Sequence, residues 1–298
     1  MHKSYAAIET MDAPADIFNA HRPQLFGIAY RMLGSRADAE DIVQETYLRW
    51  VESNISELRS PEAWLATVVT RLSIDRLRAA KAERLTYVGP WLPEPIVALG
   101  AVSHDLRLEL ASDISMAFLM VLERLASEER AAFLLHDVFD FDYAEIARML
   151  GKHQAACRQI IHRARQRVHE ERPRFAVSRD VHVGLLQKFI EAARSGRREQ
   201  IMNLLADEVR VTTDGGGKVP SVIKILQGSD PVSRFYAGVR RKYGEKLIFR
   251  MAEVNGAPGL LRYFDGKLES VQSFITDGTR ILDIYIVRNP EKLNDPYS

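Results

Sequence analysis

A run of three glycines between an acid and a lysine, DGGGK at residues 214–218, is the part of this sequence that most invites a catalytic interpretation. A glycine run that ends in lysine is typical of phosphate-binding loops, which require G-x-x-x-x-G-K-[ST]. Here a Val-Pro pair follows the lysine, so no hydroxyl is placed to hold magnesium and the phosphate-loop interpretation fails. A second hypothesis makes Asp214 a general base whose pKa is raised by burial, with Tyr236 or Tyr263 as the proton donor.

The same segment also suits a contact between two parts of the chain. Glycine tolerates positive φ and lets another segment approach closely. The stretch WLPEP at residues 91–95 is a candidate partner, because Trp91 offers a large apolar face and Glu94 is placed to pair with Lys218. A flexible turn without a partner is the third possibility. Because Asp214 follows a strand-like run in a glycine-rich loop, we expect it at the rim of a cavity, which makes catalysis the least favoured of the three.

Length and composition are those of a globular protein with more than one domain. The 298 residues predict about two domains, and 46% hydrophobic with 27% charged residues is an ordinary balance. The single cysteine, Cys157, excludes an intramolecular disulfide and a cysteine-based zinc site. The sequence has no signal-peptide core and no apolar run near about 18 residues. We therefore expect a cytoplasmic protein that needs no cofactor or metal of its own.

Helical periodicity fills the first part of the chain and strand patterns fill the last part. Helical patterns over residues 16–87 and 108–171 are separated by a linker at 88–107, whose prolines exclude a helix or a central strand. Ser60 before Pro61 predicts the start of a long helix that reaches about residue 84. After two helices at 181–193 and 198–205 come strand-like runs at 208–213, 247–254, 260–264, 268–275 and 281–287. The sequence therefore predicts two all-α units, an α+β domain at 180–288 and a tail at 289–298.

Charge is segregated along the helical part. Residues 38–45 (DAEDIVQE) hold four acids and no base, and Asp38, Asp41 and Glu45 share one helix face. This face is either simply solvated or a docking surface for a basic partner. The next helix carries Trp64 and a basic run, and Trp50 precedes it; the basic residues are Arg71, Arg76, Arg78, Lys81 and Arg84. Cations beside aromatic rings suit a nucleic-acid strand, although each ring also suits a core, which we favour for Trp50.

Residues 142–169 have the pattern of a helix-turn-helix. A capped helix ends at Gly151, a short turn follows, and the second helix buries an apolar stripe at Cys157, Ile160, Ile161, Ala164 and Val168. Its outward face is basic and polar and consists of Gln154, Arg158, His162, Arg163, Arg165 and His169. A basic second helix in this arrangement predicts insertion into a DNA major groove.

The order of these parts resembles the bacterial extracytoplasmic-function (ECF) sigma factors. The resemblance implies that residues 16–87 are sigma region 2 and residues 108–171 are sigma region 4. It implies that the acidic face docks on the clamp helices of the largest subunit of core RNA polymerase, through Asp38, Glu40, Asp41, Gln44 and Glu45. Promoter DNA would be bound in region 2 by Trp64, Arg71, Arg76, Arg78 and Lys81, and in region 4 by Gln154, Arg158, His162, Arg163 and Arg165.

Three further motifs, WLPEP, DGGGK and NPEKL at 289–293, resemble the ECF branch with a C-terminal SnoaL-like extension, although Glu291 stands where that branch commonly has Asp. The resemblance implies a cone-shaped α+β domain that regulates the sigma factor in cis, without a separate anti-sigma protein. The regulatory contacts would be made by Trp91, Leu92, Pro93, Glu94, Pro95, Asp214, Gly215, Gly216, Gly217, Lys218, Asn289, Pro290, Lys292 and Leu293. Two alternatives remain open: a helix-turn-helix repressor with a ligand-sensing cone, and a bifunctional isomerase-like or cyclase-like enzyme.

Overall fold

The computed structural model describes residues 14–54, 58, 60–98, 114–171 and 177–296. Among these residues, no helix combines the length and the apolar character that crossing a membrane requires. Part of the predicted linker (99–107), the predicted start of region 4 (108–113) and the last two residues of the predicted tail lie outside the described residues.

In the described residues up to 84, three α-helices form the first unit: α1 (Pro14–Leu33), α2 (Arg36–Glu52) and α3 (Pro61–Glu83). Ser35 caps α2 by accepting from the amide of Asp38, and Ser60 caps α3 by accepting from the amide of Ala63. The sequence prediction of a long helix after Ser60 is therefore confirmed. Trp50 is fully buried in this unit, as expected, and its indole N–H donates to the Pro14 carbonyl at 2.7 Å.

Within residues 114–171, four helices form the second unit: α4 (Met116–Leu122), α5 (Ser127–Asp137), α6 (Tyr143–Leu150) and α7 (Gln154–Glu171). Asp142 and Glu145 cap α6 reciprocally, and Gly151 ends it in the left-handed conformation with φ 64°. The apolar stripe of α7 packs inward as predicted, with Cys157 completely buried. The helix-turn-helix geometry thus follows from the local sequence.

The described part of the C-terminal domain combines three helices, α8 (Arg179–Ser195), α9 (Arg198–Met202) and α10 (Ser229–Tyr243), with a seven-stranded sheet to which the linker contributes one strand. The strands are β1 (Val97–Ala98), β2 (Leu205–Asp214), β3 (Leu226–Gln227), β4 (Leu247–Val254), β5 (Ala257–Phe264), β6 (Lys267–Thr276) and β7 (Ile281–Val287). Their order in the sheet is β1-β4-β5-β6-β7-β2-β3, antiparallel except for the β2–β7 pair. The five predicted strands are all present, whereas α10 and the two short edge strands were not predicted.

The two faces of the sheet are covered by different parts of the chain. Helices α8 and α10 pack on one face around Phe189, Tyr236 and Phe274. The other face is covered by the segment that follows region 2 and by α4, so that Leu92 and Met116 are buried against Val287. The predicted linker also pairs with the sheet, because β1 lies antiparallel to β4. The helical units and the C-terminal domain are therefore in direct contact.

Asn255, in the turn between β4 and β5, connects three parts of the chain. It adopts φ 51° and is followed by Gly256, an Asn-Gly pair typical of tight hairpins. Its amide side chain donates to the Tyr30 hydroxyl at 2.7 Å and to the Ile114 carbonyl at 3.1 Å. Its side-chain oxygen accepts from the Ile96 amide at 3.1 Å. A turn residue of the sheet thus binds α1, the linker and the segment before α4.

Replacing Asn255 with Gly tests this connection without changing the turn, because Gly accepts the same φ. We expect the free energy of unfolding to fall by about 2–4 kcal/mol, since the Ile96 amide and the Ile114 carbonyl lose the Asn255 side chain and the Tyr30 hydroxyl keeps only its bond to the Glu94 carbonyl. Urea denaturation monitored by circular dichroism would measure it. Asp265→Gly is the matched control: Asp265 has φ 52° in an exposed Asp-Gly turn and should change stability little. Equal effects of the two substitutions would contradict the role of the Asn255 side chain.

Candidate functional site

Asp214 is the centre of the contact between the C-terminal domain and the rest of the chain. It lies at the end of β2, as predicted, but it is fully buried rather than on the rim of a cavity. One carboxylate oxygen accepts from the Tyr87 hydroxyl at 2.6 Å and from the Gly216 amide at 3.0 Å. The other accepts from the Leu92 amide at 2.9 Å and from Lys292 Nζ at 2.8 Å. The DGGGK, WLPEP and NPEKL motifs therefore meet at one carboxylate.

Lys292 supplies the positive charge that this buried carboxylate needs. Its ammonium also donates to the Leu92 carbonyl at 2.7 Å and lies 4.2 Å from the centre of the Trp91 ring. Burial lowers the pKa of Lys292, against the opposing effect of the Asp214 carboxylate. Burial and the same carboxylate raise the pKa of Tyr87, which keeps its hydroxyl a donor. The charges are paired and hydrogen-bonded, as a buried ion pair requires.

The glycines of DGGGK make room for other segments. Gly216 and Gly217 have φ 60° and 70°, which disfavours any other residue there. A Cβ on Gly216 would lie 2.5 Å from the side-chain nitrogen of Asn289, and one on Gly217 would lie 3.0 Å from Cβ of Val88. The loop is therefore a contact loop in this structure, and the interpretation as a turn without a partner is wrong.

The pairing predicted between Glu94 and Lys218 is wrong. Glu94 accepts from the backbone amide of Arg36 at 2.8 Å, because its carboxylate lies at the N-terminus of α2, where amides lack helical partners. Burial raises the pKa of Glu94, although these hydrogen bonds oppose it. Lys218 instead forms an ion pair with Glu291 of NPEKL. Both charged residues still connect motifs of the predicted set, but with different partners.

The structure does not have the geometry that the catalytic hypothesis requires. The Asp214 oxygens are occupied by four donors, and the two tyrosines expected to assist it are elsewhere. Tyr236 is buried under the helices and donates to Gln272 at 2.9 Å, whereas Tyr263 donates to Asp295 at 3.0 Å. The structure therefore does not bring the predicted base and its proton donors together.

The predicted polymerase-binding residues lie along α2, where some face solvent or pair within the helix and one is bound to α3. Asp41 and Gln44 are exposed, and Glu40 and Glu45 pair with arginines one turn away on the same helix. Asp38 is instead bound to Arg76 of α3 at 2.8 Å. An apolar groove of about 360 Å³ runs beside them, lined by Ala15, Phe18, Asn19, Arg22, Val43, Gln44, Tyr47 and Leu48. This groove was not predicted, although its signal is present in the sequence: Leu48 is apolar but lies four residues after Gln44, on the polar face of α2.

The four predicted DNA-binding cations of α3 donate to other groups of the chain. Arg71 donates to the Met149 carbonyl at 2.9 Å, at the end of α6. Arg78 pairs with Glu128 of α5 at 2.9 Å, and Lys81 donates to the Leu125 carbonyl at 2.9 Å. The remaining two predicted residues stay within the first unit: Arg76 binds Asp38 and Glu83, and Trp64 packs on Trp50 with ring centres 5.6 Å apart. Region 4 thus occupies much of the face predicted to bind DNA.

The predicted reading face of α7 is open. Gln154, Arg158, His162 and Arg163 are exposed along one side of the helix. Arg165 is half-exposed and pairs with Asp137 of α5 at 2.7 Å. An accessible row of cationic and polar side chains on the second helix of a helix-turn-helix has the geometry for a major groove.

Two helical units with these charge patterns, joined to a sheet domain, are the arrangement that the sequence resemblance predicts for a transcription initiation factor of the sigma class. The Sigma-70 region 2 family model matches residues 17–83, and the Sigma-70 region 4 model matches residues 115–168. The ECF RNA polymerase sigma factor SigJ of Mycobacterium tuberculosis is 38% identical over 287 residues, which cover 92% of this chain and 91% of SigJ. The chain belongs to the ECF RNA polymerase sigma factors, in the SigJ-like branch.

Two further comparisons agree with this assignment. The probable ECF RNA polymerase sigma factor SigI of Mycobacterium tuberculosis is 28% identical over 286 residues, which cover 95% of this chain and 96% of SigI. The crystal structure of Mycobacterium tuberculosis SigJ superposes with a TM-score of 0.76 at 35% identity, covering 92% of this chain and 96% of that one. The expected fold, two helical sigma domains and a C-terminal sheet domain, is thus confirmed, and the repressor alternative is not favoured.

Substituting Asp214 with Asn tests the centre of the interdomain contact. The change preserves shape but leaves the Lys292 ammonium buried and unpaired, so we expect a loss of about 3–5 kcal/mol in the free energy of unfolding. Adding Lys292→Met should recover part of this loss, and a double-mutant cycle in urea would measure the coupling. Asp283→Asn is the control, because the partner of Asp283, Arg210, is half-exposed. It should lower the free energy of unfolding by about 1 kcal/mol or less. Additive effects of the Asp214 and Lys292 substitutions would contradict the pairing.

Proposed function

We propose that this ECF sigma factor is regulated in cis by its C-terminal domain, through the contacts that converge on Asp214. The main support for this proposal is that one buried carboxylate binds both Tyr87, at the end of region 2, and Leu92, in the linker. Holding this segment on the sheet restricts how far region 2 and region 4 can separate. No separate anti-sigma protein is then needed to keep the two regions together.

For polymerase docking, we propose the exposed side of α2 and the apolar groove beside it. Asp41, Gln44 and Glu45 supply negative and polar groups for a basic partner, and Leu48 supplies apolar surface. The clamp helices of the largest polymerase subunit are the partner that the family implies. Asp38 contributes indirectly, because its carboxylate positions Arg76.

For promoter DNA, we propose that α7 reads duplex DNA and that α3 binds the strand exposed on melting. The exposed polar and cationic side chains along α7 support its assignment to duplex DNA. The cations Arg71, Arg78 and Lys81, which share α3 with Trp64, support the assignment of α3 to the melted strand, because cations bind phosphates and rings stack on bases. We assign no catalytic role to the C-terminal domain, since Asp214 has no free oxygen to act as a base.

Binding to core polymerase tests the docking proposal without knowledge of the promoter. Asp41→Lys with Glu45→Lys should weaken binding at least about tenfold, because the docking face changes sign. Asp207→Lys with Glu208→Lys, an equal charge change at exposed positions of β2, should leave it within about twofold. Fluorescence anisotropy with labelled sigma factor would give the affinities. Equal losses for both pairs would rule out a specific acidic face.

Comparing the full chain with residues 1–177 tests regulation in cis. If the C-terminal domain holds a closed form, the truncated chain should bind core polymerase more tightly, because none of its population is closed. The full-length double variant Asp214→Asn, Lys292→Met should shift in the same direction. Identical affinities for all three forms would contradict regulation through this contact, while leaving the sigma assignment intact.

A further inference from the structure

We propose that a cavity between region 4 and the C-terminal sheet is a binding site for a small amphipathic acid, and that the bound acid holds region 4 on the sheet. The inference rests on the proposed regulation in cis, because it assigns a ligand to the closed form of the chain. It concerns a surface that neither the contacts of Asp214 nor the proposed DNA contacts use.

Helix α4 crosses the face of the sheet that is opposite to α8 and α10. The alternation of side chains along β7 places Asp283, Tyr285 and Val287 on this face. Met116 of α4 is buried against Val287, and Met120, one helical turn later, is partly buried beside the same cluster together with Tyr285. Further along β7, towards Asp283, a cavity of about 430 Å³ lies between the helix and the sheet.

Both sides of the interdomain contact supply the lining of this cavity. Region 4 contributes Met120, Arg124 just beyond the end of α4, and Glu170 in the last turn of α7. The sheet contributes Thr212 of β2 and Tyr285 of β7, and the remaining lining is mainly apolar. This size, with apolar walls and a few polar groups, is typical of small-molecule sites. The complete cavity exists only while region 4 lies on the sheet.

Two hydroxyl groups of the lining have no partner. In the part of the chain that the structure describes, neither Thr212 nor Tyr285 forms a side-chain hydrogen bond, although Thr212 is buried and Tyr285 is partly buried. Polar groups in such positions normally have a partner. Burial and the Asp283 carboxylate raise the pKa of Tyr285, so its hydroxyl keeps its proton and is available as a donor. The two residues are neighbours in the β2–β7 ladder, so one acceptor group can reach both.

The charges around Tyr285 favour an anionic acceptor. Arg210 donates to the Asp283 carboxylate from Nε at 2.7 Å and from Nη2 at 3.0 Å. The same carboxylate acts on the Tyr285 hydroxyl, and so do the cations of Arg210 and Arg124. Among the described residues, two cations and one carboxylate leave one positive charge there. Glu170 is exposed, and water and salt screen its charge. A ligand with one carboxylate or sulfonate therefore matches the polar part of the cavity.

Binding in this cavity is coupled to the closed form. A ligand that touches both α4 and the sheet gains its full contacts only when the two are together, so it shifts the population towards that state. Thr212 lies two residues before Asp214 on β2, and Tyr285 two residues before Val287 on β7. The cavity thus extends the buried contact at Asp214 along the same two strands, and an occupant strengthens a contact that is already present.

Binding of 8-anilinonaphthalene-1-sulfonate (ANS) to the full chain tests the site, because ANS carries aromatic rings and one sulfonate and fluoresces on leaving water. Ile225→Glu should weaken binding at least about fivefold, because Ile225 lines the cavity and the new carboxylate repels the sulfonate. Ile223→Glu is the matched control: Ile223 is exposed in the same segment but is not part of the lining, so binding should change less than about twofold. Tyr285→Phe, which removes only the hydroxyl, should weaken binding about tenfold.

ANS also has access to the apolar groove beside α2, and the variants show which site it occupies. Leu48 lines that groove and not the cavity, so Leu48→Glu should leave the affinity that depends on Ile225 and Tyr285 unchanged. If Leu48→Glu abolishes ANS binding while Ile225→Glu and Tyr285→Phe have no effect, the cavity is not the site and the proposal is overturned.

Binding of core polymerase in the presence of ANS tests the coupling. With ANS at about ten times its Kd, the affinity of the full chain for core polymerase should fall by up to about tenfold, because ANS binds the closed form. Anisotropy of a red-emitting label on the sigma factor would measure it without overlap with ANS emission. The Ile225→Glu chain should not respond.

Equal losses for the wild type and Ile225→Glu would mean that ANS competes in the groove beside α2, and no loss for either would mean that ANS does not select the closed form. Either result overturns the coupling. The comparison of the full chain with residues 1–177 involves no ANS, so it tests regulation in cis separately.

Discussion

A carboxylate removed from water has to find donors, and in this chain Asp214 finds them in parts of the sequence that are far apart. Tyr87, Leu92 and Lys292 lie 127, 122 and 78 residues away from it. An ionised carboxylate without such partners would cost several kcal/mol to bury. The C-terminal domain therefore reaches its lowest free energy only when the linker and the tail are in place, and the arrangement of the other parts depends on this one group.

The sheet imposes a second requirement, because both of its faces carry apolar side chains. Its own helices cover one face, while Leu92 and Met116 from the sigma part cover the other around Val287. Asn255 ties the same surface to Tyr30 of α1. A separate domain with this sheet would expose an apolar face to water. Fusion in one chain supplies the cover at high effective concentration, which is the physical advantage of a regulator in cis over one in trans.

Local signals in the sequence predicted most of the fold. Capping residues at Ser60 and Asp142, and the glycine that ends α6, specified helices that the structure reproduces within a few residues. The helix α10 was not predicted, because it contains Gly238 and carries the basic run Arg240, Arg241 and Lys242. Glu94 was predicted to pair with the wrong partner. Opposite charges in two sequence motifs do not show which way the side chains point in the fold. The amides at the start of α2 attract Glu94 through helix geometry that only the folded chain supplies.

Two kinds of interdomain contact with different polarity and exposure imply an order of opening. The contacts of Asp214 are fully buried and doubly satisfied on each oxygen, so breaking them exposes paired charges and apolar surface together. The contacts of Glu128 with Arg78 and Lys152 are half-exposed and exchange readily with water or phosphate. Low-stability contacts open first in a cooperative structure. The contacts of Glu128 can therefore open while the segment after region 2 stays on the sheet, but the two helical units still share the buried core around Arg130 and separate only when that core opens.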